Sequence, residues 1–187
     1  MESKGFTRCN WCENDPEYIN YHDNEWGIPK FDDNILFEAL SLEIFQAGLS
    51  WMTILKKRNN LRKEFDNFDV KKVENYDKEK IISLYNNKKI IRHKLKIQSI
   101  ISNAHYFRKI QKKYGSFSEY IWGFTNWKIK KNNFENLSDL PSKSDLSDKI
   151  YIDLKKNGFK FIGSVTIYSF LQAIGIIDNH LKSCYKY

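Results

Sequence analysis

Glycine is absent from residue 49 to residue 114, and proline occurs only at positions 16, 29 and 141. So long an interval without either breaker predicts helices, because Gly and Pro are the two residues that most disfavour a helix interior. Asp32 or Asp33 is positioned to cap a helix running to about Ser50, with Ile35, Leu36, Ala39, Leu40 and Glu43 on roughly one face. Further helices are expected near 51–65, 69–75, 77–87 and 93–113; in the last, Leu95, Ile97, Ile100, Ile101, Ala104 and Phe107 follow a 3.6-residue period. A helix over 117–124 follows Gly115, and residues 126–145 read as an irregular crossing segment. Two more helices, about 146–157 and 163–176, flank Gly158 and Gly163, and a short one carries His180. No segment alternates at period two, so the fold class is all-α. The 187 residues suit one domain, or two small lobes sharing a core.

The balance of 31 basic to 23 acidic side chains gives a net charge of +8. Such an excess favours polyanionic partners, nucleic acid first, through phosphate contacts and counterion release. A lysine-rich composition inherited from an AT-biased genome explains the same number. No stretch approaches the roughly 20 apolar residues of a membrane span, and Met1–Gly5 lacks the apolar run of a signal peptide. A cytoplasmic location is therefore expected, where cysteines serve as metal ligands or reactive thiols rather than disulfides.

Between Tyr21 and Trp51 the chain places Tyr21, Trp26, Trp51 and the acid Glu43 among apolar neighbours. A carboxylate ringed by aromatic faces suits a pocket for a planar, electron-poor ring: the faces attract cations, and a desolvated acid adds a charge-assisted hydrogen bond. Ordinary aromatic core fits the same residues equally well.

The three cysteines, Cys9, Cys12 and Cys184, lie at the two ends of the chain. On a helix, His180 and Cys184 would share a face, and an imidazole with a thiolate suits tetrahedral zinc. Cys9 or Cys12, together with His22, are the partners of the right type near the other end. A metal so held joins the termini in a structural role. Cys9-Asn10-Trp11-Cys12 is itself a C-x-x-C and also fits a chelate or a redox pair. His93 and His105 have no thiol nearby and read as solvated or DNA-facing.

Residues 155–170 contain Gly158 and Gly163 around a short turn, with Lys155, Lys156 and Lys160 beside it. A helix that starts after Gly163 offers free N–H groups and the positive end of its dipole to an anion. This fits a hairpin that grips a DNA backbone without reading sequence, and also a plain glycine-ended helix followed by a turn.

Taken together the residues resemble the DNA-3-methyladenine glycosylase I branch of the helix-hairpin-helix glycosylases. The matching stretches are Arg8-Cys9-Asn10-Trp11, Tyr21 to Gly27, Leu42-Glu43, Gln46 to Trp51, Ile90 to His93, Gly158 to Phe161 and Asp178-Asn179-His180. They cover nearly the whole chain in the family's order.

The resemblance implies a single glycosylase domain over 1–187, two helical lobes with a pocket between them, its ends joined at one structural zinc. Cys9, His22, His180 and Cys184 fall on the zinc ligands, leaving Cys12 a bystander. Glu43 falls on the acid that contacts the damaged base, Tyr21 and Trp51 on its aromatic cradle, and Trp11 and Trp26 lie close to the same pocket. Gly48 and Leu49 match the loop that enters the DNA where the base has left, while Gly158, Lys160 and Gly163 belong to the phosphate-gripping hairpin. The implied activity is release of 3-methyladenine from alkylated double-stranded DNA, with the free base as product; monomeric action is the simplest expectation beside it. Bifunctional relatives carry a Schiff-base lysine two residues after the second hairpin glycine. Val165 stands there in this chain, which predicts hydrolysis without strand cleavage. Asp178 occupies the place of a catalytic acid found in the wider superfamily, and we read it as support for His180.

Other functions compatible with parts of this pattern are a zinc-stapled nucleic-acid-binding module without catalysis, a small-molecule hydrolase and a redox protein using Cys9 and Cys12.

Overall fold

The computed structural model describes residues 6–12 and 15–187, so the expectation for Met1–Gly5 lies outside the described residues. Nine α-helices form the described fold: α1 (Pro16–Asn24), α2 (Asp33–Gln46), α3 (Trp51–Glu64), α4 (Val70–Glu74), α5 (Lys78–Asn86), α6 (Lys94–Tyr114), α7 (Phe117–Gly123), α8 (Asp145–Lys156) and α9 (Ser164–Ala173). Two two-residue strands, β1 (Lys130–Lys131) and β2 (Ile177–Asp178), pair in parallel. They are too short to show a period in the sequence, and they tie the crossing segment to the C-terminal stretch.

Helix α2 runs through the middle of the core. Leu36, Phe37, Leu40, Leu42, Ile44 and Phe45 are all buried, so apolar residues surround the helix instead of forming one stripe. Phe37 meets Phe107 of α6 at 5.2 Å, and Phe107 stacks on Phe117 at 3.9 Å. The Asp32 side chain caps α2 by accepting from Asn34 N and Ile35 N. The Asp33 carboxylate does the same for α7, accepting from Phe117 N and Ser118 N, both at 2.9 Å.

The structure departs from the sequence reading in three places. Helix α2 stops at Gln46 and not near Ser50, because Gly48 takes φ +78° and Ser50 becomes the N-cap of α3, its hydroxyl accepting from Thr53 N. Buried Lys96 donates to the last carbonyls of this turn, Phe45 O at 2.8 Å and Ala47 O at 2.5 Å. Helix α1 was not foreseen; its signal is the Asp15–Pro16 pair, a capping acid followed by a proline at the first position. No helix carries His180: it follows β2 in an irregular segment and is held by Asp178 instead.

Helix α8 ends as expected at a glycine. Gly158 N donates to Lys155 O and Phe159 N to Leu154 O, a Schellman closure with Gly158 at φ +98°. Asn103 of α6 then grips both edges of Lys160, accepting from its N–H at 2.8 Å and donating to its carbonyl at 3.0 Å. A β-carbon at Gly158 would lie 2.3 Å from the Tyr106 ring. Gly158→Ala is therefore expected to lower the melting temperature by roughly 5–12 °C through strain and overpacking; a shift under 2 °C would contradict this reading of the turn.

The two ends of the described chain lie side by side. Tyr185 N donates to Thr7 O, Leu181 N points at Cys9 Sγ, and Arg8 pairs with Asp23 at 2.8 Å. Among the described residues no helix is long and apolar enough to cross a membrane.

Candidate active site and metal centre

Helices α1, α2 and α3 each contribute one wall to a cavity of about 270 Å³ lined by Tyr21, Glu43 and Trp51, with Trp11 and Trp26 completing the aromatic side. The five residues that the sequence singled out for base binding thus line one cavity. Tyr21 and Trp51 lie 5.2 Å apart, tilted by 49°, and Trp11 meets Trp26 edge-on at 5.1 Å. The Trp51 indole N–H is buried with no partner.

Glu43 is only 6% exposed, and its carboxyl has no hydrogen bond or ion pair among the described residues. Burial alone pushes its pKa up to about 8. An acid of this kind is costly to keep, and what it faces is a cavity of flat, electron-rich rings. Burial, with Glu43 next in effect, also pushes the Tyr21 phenol well above its ordinary value, so Tyr21 stays a neutral hydroxyl that can donate.

Five further side chains line this cavity: Tyr18, Leu137, Leu140, Ser169 and Gln172. Sequence reasoning did not name them, and it named Gln46, which also lines the cavity, only within the 46–51 match. Tyr18 lies one turn before Tyr21 on a helix that was not foreseen. Ser169 and Gln172 had a legible signal: Thr166, Ser169 and Gln172 recur every three residues as a polar stripe in the mostly apolar α9. Leu137 and Leu140 come from the irregular crossing segment, where no periodicity identifies a buried face.

A neighbouring cavity of about 200 Å³ joins Glu43 and Gln46 to Gly48, Leu49 and the first turns of α9 at Val165 and Thr166. Leu49 is 42% exposed, and Lys160 is exposed on the turn. Gly163 is the N-cap of α9 and supplies no side-chain cap, which leaves backbone N–H groups for an external anion. Val165 is exposed where a lyase would present its amine.

Where the two ends of the described chain meet, the potential ligand atoms of Cys9, His22 and Cys184, all buried, lie within 4.8 Å of one another. The Cys184 sulfur is 3.5 Å from His22 Nε2. Each candidate histidine is oriented by a carboxylate on its Nδ1: Asp23 at 2.8 Å for His22, Asp178 at 2.7 Å for His180. His180 lies outside the tight three-residue group, yet its ring centre is 5.2 Å from that of His22, and its Nε2 is buried without a partner. Cys12 donates its S–H to Cys9 O at 3.0 Å and is not part of the group. His93 caps α6 through Lys96 N, and His105 bonds Glu74.

The centre and the cavity share a wall. Trp26 packs against the His180 ring at 4.6 Å and against His22 at 6.1 Å, and Gly27 lets the His180 ring approach to where a β-carbon would be at 2.7 Å.

The family model for methyladenine glycosylases matches residues 11–187. A DNA-3-methyladenine glycosylase 1 of Escherichia coli (strain K12) is 43% identical over 180 residues, 96% of either chain. A solved 3-methyladenine DNA glycosylase I from Staphylococcus aureus, described for its recognition of 3-methyladenine, superposes with a TM-score of 0.91 at 41% identity and 95% coverage of both chains. A single-residue variant of such an enzyme in complex with 3-methyladenine superposes equally well, at 0.91 and 40% identity, over 95% of this chain and 96% of that one. With its aromatic cavity, its buried acid and a whole-length match, the chain belongs to the methyladenine glycosylase family.

Proposed function

We propose that this protein is a monofunctional DNA-3-methyladenine glycosylase, which flips the alkylated nucleotide out of duplex DNA and hydrolyses its N-glycosidic bond in base-excision repair. The observation that carries the reading is Glu43, a buried carboxyl without a protein partner inside an aromatic cavity. The relatives' names and the 3-methyladenine complex of one of them support the choice of base.

Methylation at N3 makes the adenine ring of the nucleotide cationic and weakens its bond to the sugar. The C1′–N9 bond breaks with its electron pair passing to the ring, water adds to C1′ and gives up a proton to the solvent, and neutral 3-methyladenine and an abasic site result. The protein's task is mainly to select and hold. A cationic ring between Trp51 and Tyr21 lowers the pKa of Glu43 and accepts the carboxylate as counter-charge. Neutral adenine offers no such compensation, so the burial penalty on an ionised Glu43 stands in full. Leu49 would fill the gap left by the extruded nucleotide, while Lys160 and the N–H groups after Gly163 hold phosphates.

The donor set of Cys9, His22, Cys184 and the unpartnered Nε2 of His180 fits one tetrahedral zinc per chain, with all positions filled by protein and no open position for catalysis. Its contribution is to bind the termini and brace Trp26. We further read the chain as one domain acting as a cytoplasmic monomer.

Base release from methylated duplex DNA, followed by chromatography, tests the activity. Free 3-methyladenine is the expected product, with a rate that falls steeply as salt rises. Strand scission at abasic sites without added base would contradict the monofunctional reading, and loss of the salt dependence would contradict a DNA substrate.

A further inference from the structure

Behind the wall formed by Tyr21 and Trp51 lies a second cavity of about 200 Å³, bounded also by Glu25, Lys30, Glu38 and Arg58. Arg58 is the junction there. Its Nη2 reaches Glu25 Oε2 at 2.6 Å and its Nε donates to Glu38 Oε1 at 2.9 Å. Glu25 is the C-cap of α1, four residues after Tyr21, and its N–H donates to Tyr21 O. Glu38 lies in α2 ahead of Glu43, and Arg58 lies in α3 two turns after Trp51, on the same face. One guanidinium therefore ties together the three helices that carry the three principal walls of the base cavity.

We propose that Arg58 is a positioning residue for base release: its two carboxylate bonds set the relative placement of Tyr21, Glu43 and Trp51. The inference rests on the base-release reading above. Its geometry is selective. Arg62 also pairs with Glu38 at 2.9 Å, but its side chain is 37% exposed against 16% for Arg58, and no bond joins it to Glu25. The planar fork matters, because a lysine ammonium is a single point and cannot bridge the same two acids in the same geometry. Arg58 is also near enough to act electrostatically on the Tyr21 hydroxyl.

The test compares wild type, Arg58→Lys, Arg58→Met and Arg62→Met in single-turnover release of 3-methyladenine from methylated duplex DNA, at saturating enzyme and well below each melting temperature. DNA affinity is measured in parallel. Arg58→Lys is expected to slow release about 10-fold and Arg58→Met 30-fold or more, with DNA affinity within twofold, since the phosphate grip lies at Lys160 and α9. Arg62→Met is expected to stay within threefold of wild type. Release by Arg58→Lys within twofold of wild type, equal losses at Arg58 and Arg62, or a rate loss matched by lost DNA affinity would each overturn the proposal. Arg58→Met removes a largely buried partner of two acids; if it fails to fold, Arg58→Lys against Arg62→Met decides the matter. If wild type itself released no base, the functional reading would fail instead.

Discussion

Glu43→Gln is expected to melt well above wild type at pH 8 and to match it near pH 4. The carboxyl has an ordinary value near 4.5 in the unfolded chain and is pushed up to about 8 by burial in the folded one. Below about pH 4.5 both states hold the proton and the side chain makes no difference. As pH rises towards 8, the unfolded chain releases its proton and the folded one does not, so stability is lost throughout that interval, by roughly 3–5 kcal/mol in all. Glutamine has nearly the same shape and no such titration. For a chain of this size the gap at pH 8 corresponds to roughly 6–15 °C. Melting curves of both proteins from pH 4 to 8 check this, because pH effects at every other group cancel in the difference. A gap that does not widen with pH, or a variant that melts lower at pH 8, would show that Glu43 is held by something other than the aromatic cavity. Retaining a destabilising acid is intelligible if function needs it.

Loss of the proposed metal centre is expected to be the other large effect. Purified protein should carry one zinc per chain, and Cys184→Ser or exhaustive chelation should lower the melting temperature by more than about 10 °C, since structural zinc sites supply folding free energy directly. In the proposed centre the four donors would come from residues 9, 22, 180 and 184, so a bound metal would close almost the whole chain into a loop. The disturbance should reach the cavity, because Trp26 rests on the His180 ring, and affinity for free 3-methyladenine should fall with zinc content. Zinc well below one per chain in protein prepared without chelator, or an unchanged melting curve after its removal, would contradict the assignment.

Much of this arrangement was legible because the chemistry is local. The glycine-free interval, the capping acids and the apolar period of α6 mark helices that hold to within a few residues at their ends. Gly158 marks the end of α8 because only a residue tolerant of φ +98° closes that turn. The cavity could be anticipated from Glu43 among aromatics, an acid where an apolar side chain would ordinarily stand. What escaped is what depends on distant contacts. Helix α1 has few apolar residues, and its buried side chains, Tyr21 and His22, are ones a hydrophobic pattern discounts. His180 is fixed by Asp178 and β2, and the helix expected around it was inferred only from the spacing to Cys184. Arg58 lies in the strongly basic sequence Lys56-Lys57-Arg58, and nothing local separates the one side chain that turns inward from its solvated neighbours. Lys96, a lysine among many, is likewise distinguished only by the carbonyls it meets.

In the proposed mechanism a buried acid without a protein partner selects a cationic base. The most direct test of this claim is the single-turnover rate of 3-methyladenine release from methylated duplex DNA by Glu43→Gln, with zinc content and melting temperature confirming an intact fold. Removing one charge-assisted hydrogen bond should slow release by roughly 10- to 150-fold. A glutamine variant that releases the base within twofold of the wild-type rate would contradict the claim.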